Sequence, residues 1–529
     1  MEKALLYDTT LRDGMQGENI FFSPEDKIKI AKKLDDIGIH YIEGGWPGSN
    51  PGAEAFFKLA RDIKFKNAKI AAFGSTRHPS KNVETDANLQ ALLKSEAPVV
   101  TIFGKSWDLH VEQIMNNAKE NNLAMITQSV EYLHQHGREV IYDAEHFYDG
   151  YKDNPEYALQ TLEAAVKGNT QTLVLCDTNG GTMPSEIAKI TGDVTRHLKK
   201  SLRSDFDKIT LGIHAHNDCA MAVANSVAAI EQGVMMVQGT INGYGERCGN
   251  TDLTSIIPIL GLKLGINCMD EKNLKKLLSL SRFISEAANI PPLCNRPFVG
   301  KSAFAHKGGI HVSAVNKIAR AYEHMDPELV GNHRRVLVSE QSGRSNIEYK
   351  AKELGVDLKN DKKNGINIVS NIKELENYGY EFDIADGSLK LLMEKLTGQF
   401  KPRFELESFR VSVEKDMERP CYSHAMIKIK VGDKSEITSA EGDGPVSALD
   451  NALRKALSYI YPELNNMRLV DFKVRVIDGV DGTKARVRVL IESRDENSVF
   501  TTVGVSEDII EASWQALADS FQYKLSMNL

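Results

Sequence analysis

The 529-residue chain is 42% hydrophobic, which suits one large α/β domain with smaller ones attached rather than a single ordinary core, so two or three domains are expected. Its 65 Lys and Arg against 72 Asp and Glu leave a net charge of −7, with no dense basic block of the kind that grips nucleic acid or an anionic membrane. No apolar run reaches the roughly 18 residues of a membrane span, the start MEKALLYDTTLRDG carries no secretory signal, and six scattered cysteines form no C-x-x-C pair; a soluble, cytoplasmic protein working on small molecules is expected.

From residue 4 to about 265, short β-rich runs alternate with longer amphipathic ones. The strand candidates, in order, are ALLYDTT, YIEGG, KIAAFGS, PVVTIFG, EVIYDAEHF, TLVLCDT, ITLGIHAHN and MMVQGTING. Helical segments lie between them. In SPEDKIKIAKKLDDIG, Ser23 can cap, Pro24 sits in the first turn, Ile28, Ala31 and Leu34 recur at helical spacing, and Gly38 stops the helix. Eight β/α units in about 260 residues match the size and rhythm of a TIM barrel, whose parallel strands need a helical crossover between each pair; a doubly wound open sheet is the alternative. The barrel is preferred because polar residues gather where the strands end: Arg12 and Asp13, Glu43, Ser75, Lys105, Glu145, Thr178, His214 with His216, and Asn242. In a barrel those ends share one mouth.

The catalytic barrel is assigned to 1–270 and a mainly helical linker to 271–403, with the Gly/His-rich GKSAFAHKGGIHVSAV near its front. The remaining 404–529 alternates strands such as FRVSVEK, HAMIKIKV and VDFKVRVIDG, and each half closes on a helix, ALDNALRKAL or ASWQALADSF. Ala448 and Leu453 are mirrored by Ala512 and Leu517, so a duplicated βββα unit is expected.

In strand seven, His214 and His216 are alternate residues, which face one side about 6.6 Å apart and can converge on one ion. The other reading is a hydrogen-bonded core histidine beside one that lines water. Asp13, just past strand one, offers an anionic oxygen, and Asn250, past strand eight, a neutral one. Strands one, seven and eight are neighbours in a closed barrel. Two imidazoles with oxygen donors and no thiolate suit Mn²⁺, Mg²⁺, Co²⁺ or an expanded Zn²⁺ site. Asp13 could instead cap the loop or pair with Arg12, and Asn250 could be the N-cap of the helix that begins in TDLTSIIPIL.

The segments YDTTLRDGMQ (7–16), GIHAHND (212–218) and NGYGERCGN (242–250) resemble the signatures of the acyl-CoA-condensing, metal-dependent TIM barrels that include isopropylmalate, homocitrate and citramalate synthases. Further segments, among them YIEGGWPGSNP, LCDTNGGTMP and YEHMDPELVGNHRRVLVSEQSGRSN, resemble the citramalate synthase branch. The likeness covers nearly the whole chain. It implies that a 2-oxo acid, pyruvate, chelates the metal and condenses with acetyl-CoA as co-substrate, after which thioester hydrolysis releases CoA. Arg12 matches the family arginine that steadies the carbonyl oxygen as charge develops, and Thr178 a donor to the substrate carboxylate. Deprotonating acetyl-CoA calls for a base, for which Glu145 and His311 are the candidates. By similarity, Glu145 and Glu246 belong to the acid/base set, while His311 and Tyr322 match a pair lent by the linker of the partner subunit in a homodimer. His306 stays unassigned. The C-terminal domain resembles the family's allosteric one, with isoleucine as the implied effector and the turn EGDGPVSALD as part of its pocket or as a plain structural turn. Three alternatives stand beside this: isopropylmalate synthase, since one methylene in a pocket is worth only about 1–3 kcal/mol, a lyase or aldolase on the same barrel, and a non-enzymatic metabolite sensor. No G-x-x-x-x-G-K-[ST] loop is present, so ATP is not implied.

Overall fold

A computed structural model describes residues 3–339, 342–358, 362–415, 417, 420–477 and 485–527. They divide into two units, Met1–Phe304 with Pro327–His333, and Ala305–Asp326 with Arg334–Leu529.

The first unit is built on eight strands, β1 (Leu5–Asp8), β2 (Tyr41–Gly45), β3 (Lys69–Ser75), β4 (Val99–Lys105), β5 (Glu139–Glu145), β6 (Thr172–Asp177), β7 (Thr210–Ala215) and β8 (Met236–Gly239). They close into a barrel in sequence order, and β1 pairs in parallel with β8 as well as with β2. The open doubly wound sheet is thereby replaced by the barrel. Strands covered on both faces must be apolar nearly throughout, which is why β6 is buried along its whole length. The floor of the interior is apolar, with Tyr41, Ala71, Val99, Ile141, Val174 and Met236 in one cluster. Above it the inward side chains turn polar toward the C-terminal ends of the strands.

The helix over Pro24–Ile37 shows how local signals place these elements. Ser23 caps it by accepting from Asp26 N–H, and Gly38 ends it at φ 93°, a left-handed conformation that disfavours any side chain. Its buried face is Ile30, Ala31, Leu34 and Ile37, and it also buries Lys27. That ammonium donates to the Gly44 carbonyl at 3.1 Å, and burial lowers its pKa to about 8.

The second unit begins with a two-residue parallel pair, β9 (Ala305–His306) against β10 (Arg335–Val336), among the helices Gly309–Lys317, Arg344–Leu354, Lys362–Tyr378 and Asp386–Thr397. Then come β11 (Glu405–Glu414), β12 (Tyr422–Val431) and β13 (Lys434–Gly442), closed by the helix Pro445–Leu457, and β14 (Arg468–Val476), β15 (Val487–Arg494) and β16 (Val499–Ser506), closed by the helix Ile509–Ser526. Both three-stranded sheets are antiparallel, in sequence order, with a register shift near the start of their first strand. The duplication reaches individual bonds. Thr438 Oγ1 donates to the Ala452 carbonyl at 2.9 Å, and 64 residues later Thr502 Oγ1 donates to the Ala516 carbonyl at 2.7 Å. The buried residues of the two closing helices share one core, Leu449, Leu453, Leu517 and Phe521 among them.

No helix among the described residues is long and apolar enough to cross a membrane.

Candidate metal centre and its cavity

Past β1 the chain turns back on itself: the N–H groups of Arg12, Asp13 and Gly14 all donate to the Thr9 carbonyl. Asp8 braces the turn by accepting from both the N–H and the hydroxyl of Thr10, whose oxygen in turn accepts from Ile241 N–H, just past β8. Burial pushes the Asp8 carboxyl up to about 7. The result points Asp13 inward, only 1% exposed.

His214 is the last residue of β7 paired with β8, and His216 lies one residue beyond the strand, kept extended by a bridge to Asn250. Their Nε2 atoms are 3.4 Å apart, and His214 Nε2 is 3.2 Å from Asp13 Oδ2. One donor atom from each of Asp13, His214 and His216 lies within 4.8 Å of the others, and all three residues are buried. Both Asp13 oxygens and Asn250 Oδ1 are buried without a hydrogen-bond partner. Buried polar atoms are nearly always partnered; a carboxylate, an amide oxygen and two imidazole nitrogens left facing one another are the donor set of a hard to borderline divalent cation. The residues fit such an ion.

Electrostatics agree. Burial alone would raise the Asp13 carboxyl, but Arg12, followed by His214 and His216, holds it far below the usual carboxylate range. Burial would likewise suppress charge on His214, yet Asp13 raises its pKa. His216 falls to about 4, through burial and then the neighbouring His214.

A cavity of about 250 Å³ opens above these groups, lined by Arg12, Asp13, Glu145, Thr178, His214, His216 and Glu246 together with an apolar wall. Arg12 Nε donates to Glu43 Oε1 at 2.6 Å, and its guanidinium lies 3.8 Å above the Phe73 ring. Glu145 is ion-paired with Lys105. The Thr178 hydroxyl accepts from His146 N–H at 2.9 Å, so its own proton is free for another acceptor. Glu246 is exposed at the rim. His311 and Tyr322 belong to the second unit, where their rings stack on each other at 4.4 Å.

Residues 3–284 match the HMGL-like family, 298–379 the homocitrate synthase post-HMGL domain-like family, and 383–525 the LeuA allosteric (dimerisation) domain. The chain is 53% identical to an (R)-citramalate synthase of Aquifex aeolicus over 99% of its own length and 98% of that protein's, and equally so to one of Geobacter sulfurreducens. A 2-isopropylmalate synthase of Methanocaldococcus jannaschii is 30% identical, over 98% of this chain and 94% of its own. The chain belongs to the HMGL-like family, on its (R)-citramalate synthase branch.

Within this branch member, several expectations shift. Asn250 is not the N-cap of the following helix; Asp252 is, accepting from Thr254 N–H, and this leaves the Asn250 oxygen unengaged. Asn242 and Ser75 do not line the cavity. Asn242 is 3% exposed and donates to the Ser281 carbonyl instead, because a left-handed backbone (φ 67°) turns it outward against the helix Leu277–Ala287. Glu43 is fully buried under the mouth, accepting from Tyr7 and Arg12. The sequence reading missed the wall of Trp46, Phe73 and Phe103, whose ring centroids are 5.5–6.1 Å apart. It also missed Asp143, inside β5 between its terminal glutamates, and Gln238, the one polar side chain of β8. Only their inward register would have marked them.

Proposed function

We propose that the protein catalyses the (R)-citramalate synthase reaction, condensing acetyl-CoA with pyruvate and hydrolysing the thioester to give citramalate and CoA, a route toward isoleucine. What carries this reading is the convergence of Asp13, His214 and His216 beside Arg12, in a chain that matches (R)-citramalate synthases end to end. Asp13, His214, His216 and Asn250 would hold the divalent ion, Mn²⁺, Mg²⁺, Co²⁺ or Zn²⁺, which when bound polarises the 2-oxo carbonyl.

The chain's own residues do the rest. Thr178 donates its free hydroxyl proton to the substrate carboxylate, and Arg12, pre-positioned by Glu43, offers its remaining N–H groups to the carbonyl oxygen as negative charge grows there. A base removes a methyl proton from acetyl-CoA, the methyl carbon bonds to C2 of pyruvate, and the former carbonyl oxygen takes up a proton. Water then cleaves the thioester, leaving a carboxylate and the CoA thiol. Glu145, Glu246 and the His311–Tyr322 pair supply the acid/base groups, the pair acting across a homodimer. We place the substituent of the 2-oxo acid against the wall of Trp46, Phe73 and Phe103, and the choice of methyl over a branched group follows the match to (R)-citramalate synthases. Trp46 Nε1 donates to Asn88 Oδ1 at 2.8 Å, so the wall cannot fold back easily. We assign 1–270 to catalysis, 271–403 to the linker and 404–529 to dimerisation and isoleucine sensing.

The test is CoA release from acetyl-CoA with pyruvate and, separately, 2-oxoisovalerate, with Mn²⁺ or with chelator. Metal-dependent release that favours pyruvate is expected. A preference for 2-oxoisovalerate moves the assignment to isopropylmalate synthase, and no release with either substrate defeats both.

A further inference from the structure

Gln238, on β8, is fully buried inside the barrel and has two polar neighbours. Its Nε2 donates to Asp143 Oδ1, on β5 across the interior, at 2.9 Å, and its Oε1 is 2.8 Å from His214 Nδ1. An amide could be turned either way, and the state of Asp143 decides. An ionised Asp143 only accepts, so the NH₂ end faces its Oδ1 and the carbonyl end faces His214. A carbonyl only accepts, so Nδ1 of His214 must carry hydrogen. In a neutral imidazole the lone pair then lies on Nε2, the atom that faces Asp13 and the Nε2 of His216. The other inward polar groups are engaged elsewhere: the Tyr7 hydroxyl with Glu43 and Thr101, and Glu43 with Arg12. His216 has no such support, since its Nδ1 is buried and unpartnered.

We propose that Gln238, held by Asp143, is a positioning residue that sets the tautomer and ring orientation of His214 and so presents its Nε2 to the metal. The inference rests on the metal reading of Asp13, His214 and His216. Outer partners of metal-binding histidines act through ligand orientation and basicity, and losing one weakens binding by about 10–100-fold.

The test measures Mn²⁺ affinity of the full-length protein by the disappearance of the free-ion EPR signal, with circular dichroism as a check on folding. Gln238→Met, of similar volume but unable to accept, is expected to raise the dissociation constant about tenfold or more. The double variant Gln238→Glu with Asp143→Asn keeps an acceptor toward His214 and a donor toward position 238, and its affinity is expected to return toward that of the parent. It also serves if the single variant fails to fold. Parent-like affinity in folded Gln238→Met, or a folded double variant that binds as weakly as the single one, overturns the role of Gln238. Parent-like Mn²⁺ affinity in Asp13→Asn overturns the metal centre itself, and the inference with it.

Discussion

His214 and His216 stand two residues apart, yet their environments push them in opposite directions. Burial opposes charge on both, but Asp13 restores it on His214 and raises its pKa, whereas His216 is left at about 4. A proton on His214 occupies Nε2, since Nδ1 is already committed to Gln238. The cation must therefore expel it. Below the His214 pKa, binding should release a proton per ion; above it, release should vanish, so affinity rises with pH and then levels off. His216, already unprotonated at about pH 6, contributes nothing to this count. Calorimetry of Mn²⁺ binding in two buffers of different ionisation enthalpy is expected to show about one proton released at about pH 6, with release falling as the pH passes through the raised His214 pKa. No proton release at about pH 6 would refute the assignment. The H-x-H spacing was readable in the sequence because strand geometry converts it directly into a shared face. The polarity of the His214 ring was not, because it depends on Gln238 and Asp13, 24 and 201 positions away.

At the level of elements, the barrel was legible because short β-rich runs alternate with amphipathic helices that carry their own start and stop residues, as in Ser23, Pro24 and Gly38. The βββα repeat was legible for the same reason, from the spacing of small and large apolar residues on its two closing helices. What pattern alone could not give is how closely strand and helix approach. A Cβ at Gly504, in the middle of β16, would lie 2.1 Å from the Ala512 carbonyl oxygen and 2.9 Å from Ala516 N. Those are backbone atoms of the helix Ile509–Ser526 and cannot swing aside. Gly504→Ala should therefore push the helix off its sheet, strain the Thr502–Ala516 bond nearby, and cost about 1–3 kcal/mol or more. Urea unfolding followed by tryptophan fluorescence reads it through Trp514, 4% exposed on that helix. An unchanged midpoint would show that helix and strand can separate freely.

For the whole molecule, the match to a LeuA allosteric (dimerisation) domain supports a dimer. If His311 and Tyr322 serve the partner's barrel, two separately dead chains should rescue each other. A mixed dimer of Glu145→Gln with His311→Ala would hold one doubly damaged site and one intact site. Random reassociation of equal amounts should then restore roughly a quarter of the parent's CoA release. Recovery that stays at background would place His311 in the service of its own barrel. The sequence disclosed this possibility through family resemblance alone, because no hydrophobic period or spacing states which chain a loop will serve.

The first and last strands of the barrel are hydrogen-bonded to each other, and the candidate ligands Asp13, His214, His216 and Asn250 lie on β7 or in the segments that follow β1, β7 and β8. A nascent chain thus displays Asp13 long before Asn250 exists. At roughly 5–20 residues per second, about 12 to 47 seconds of synthesis separate the two. Until His214 and His216 are made, an ion at Asp13 would lack most of the proposed donors; on the metal reading, loading would follow ring closure and the cation would clasp the beginning of the barrel to its end.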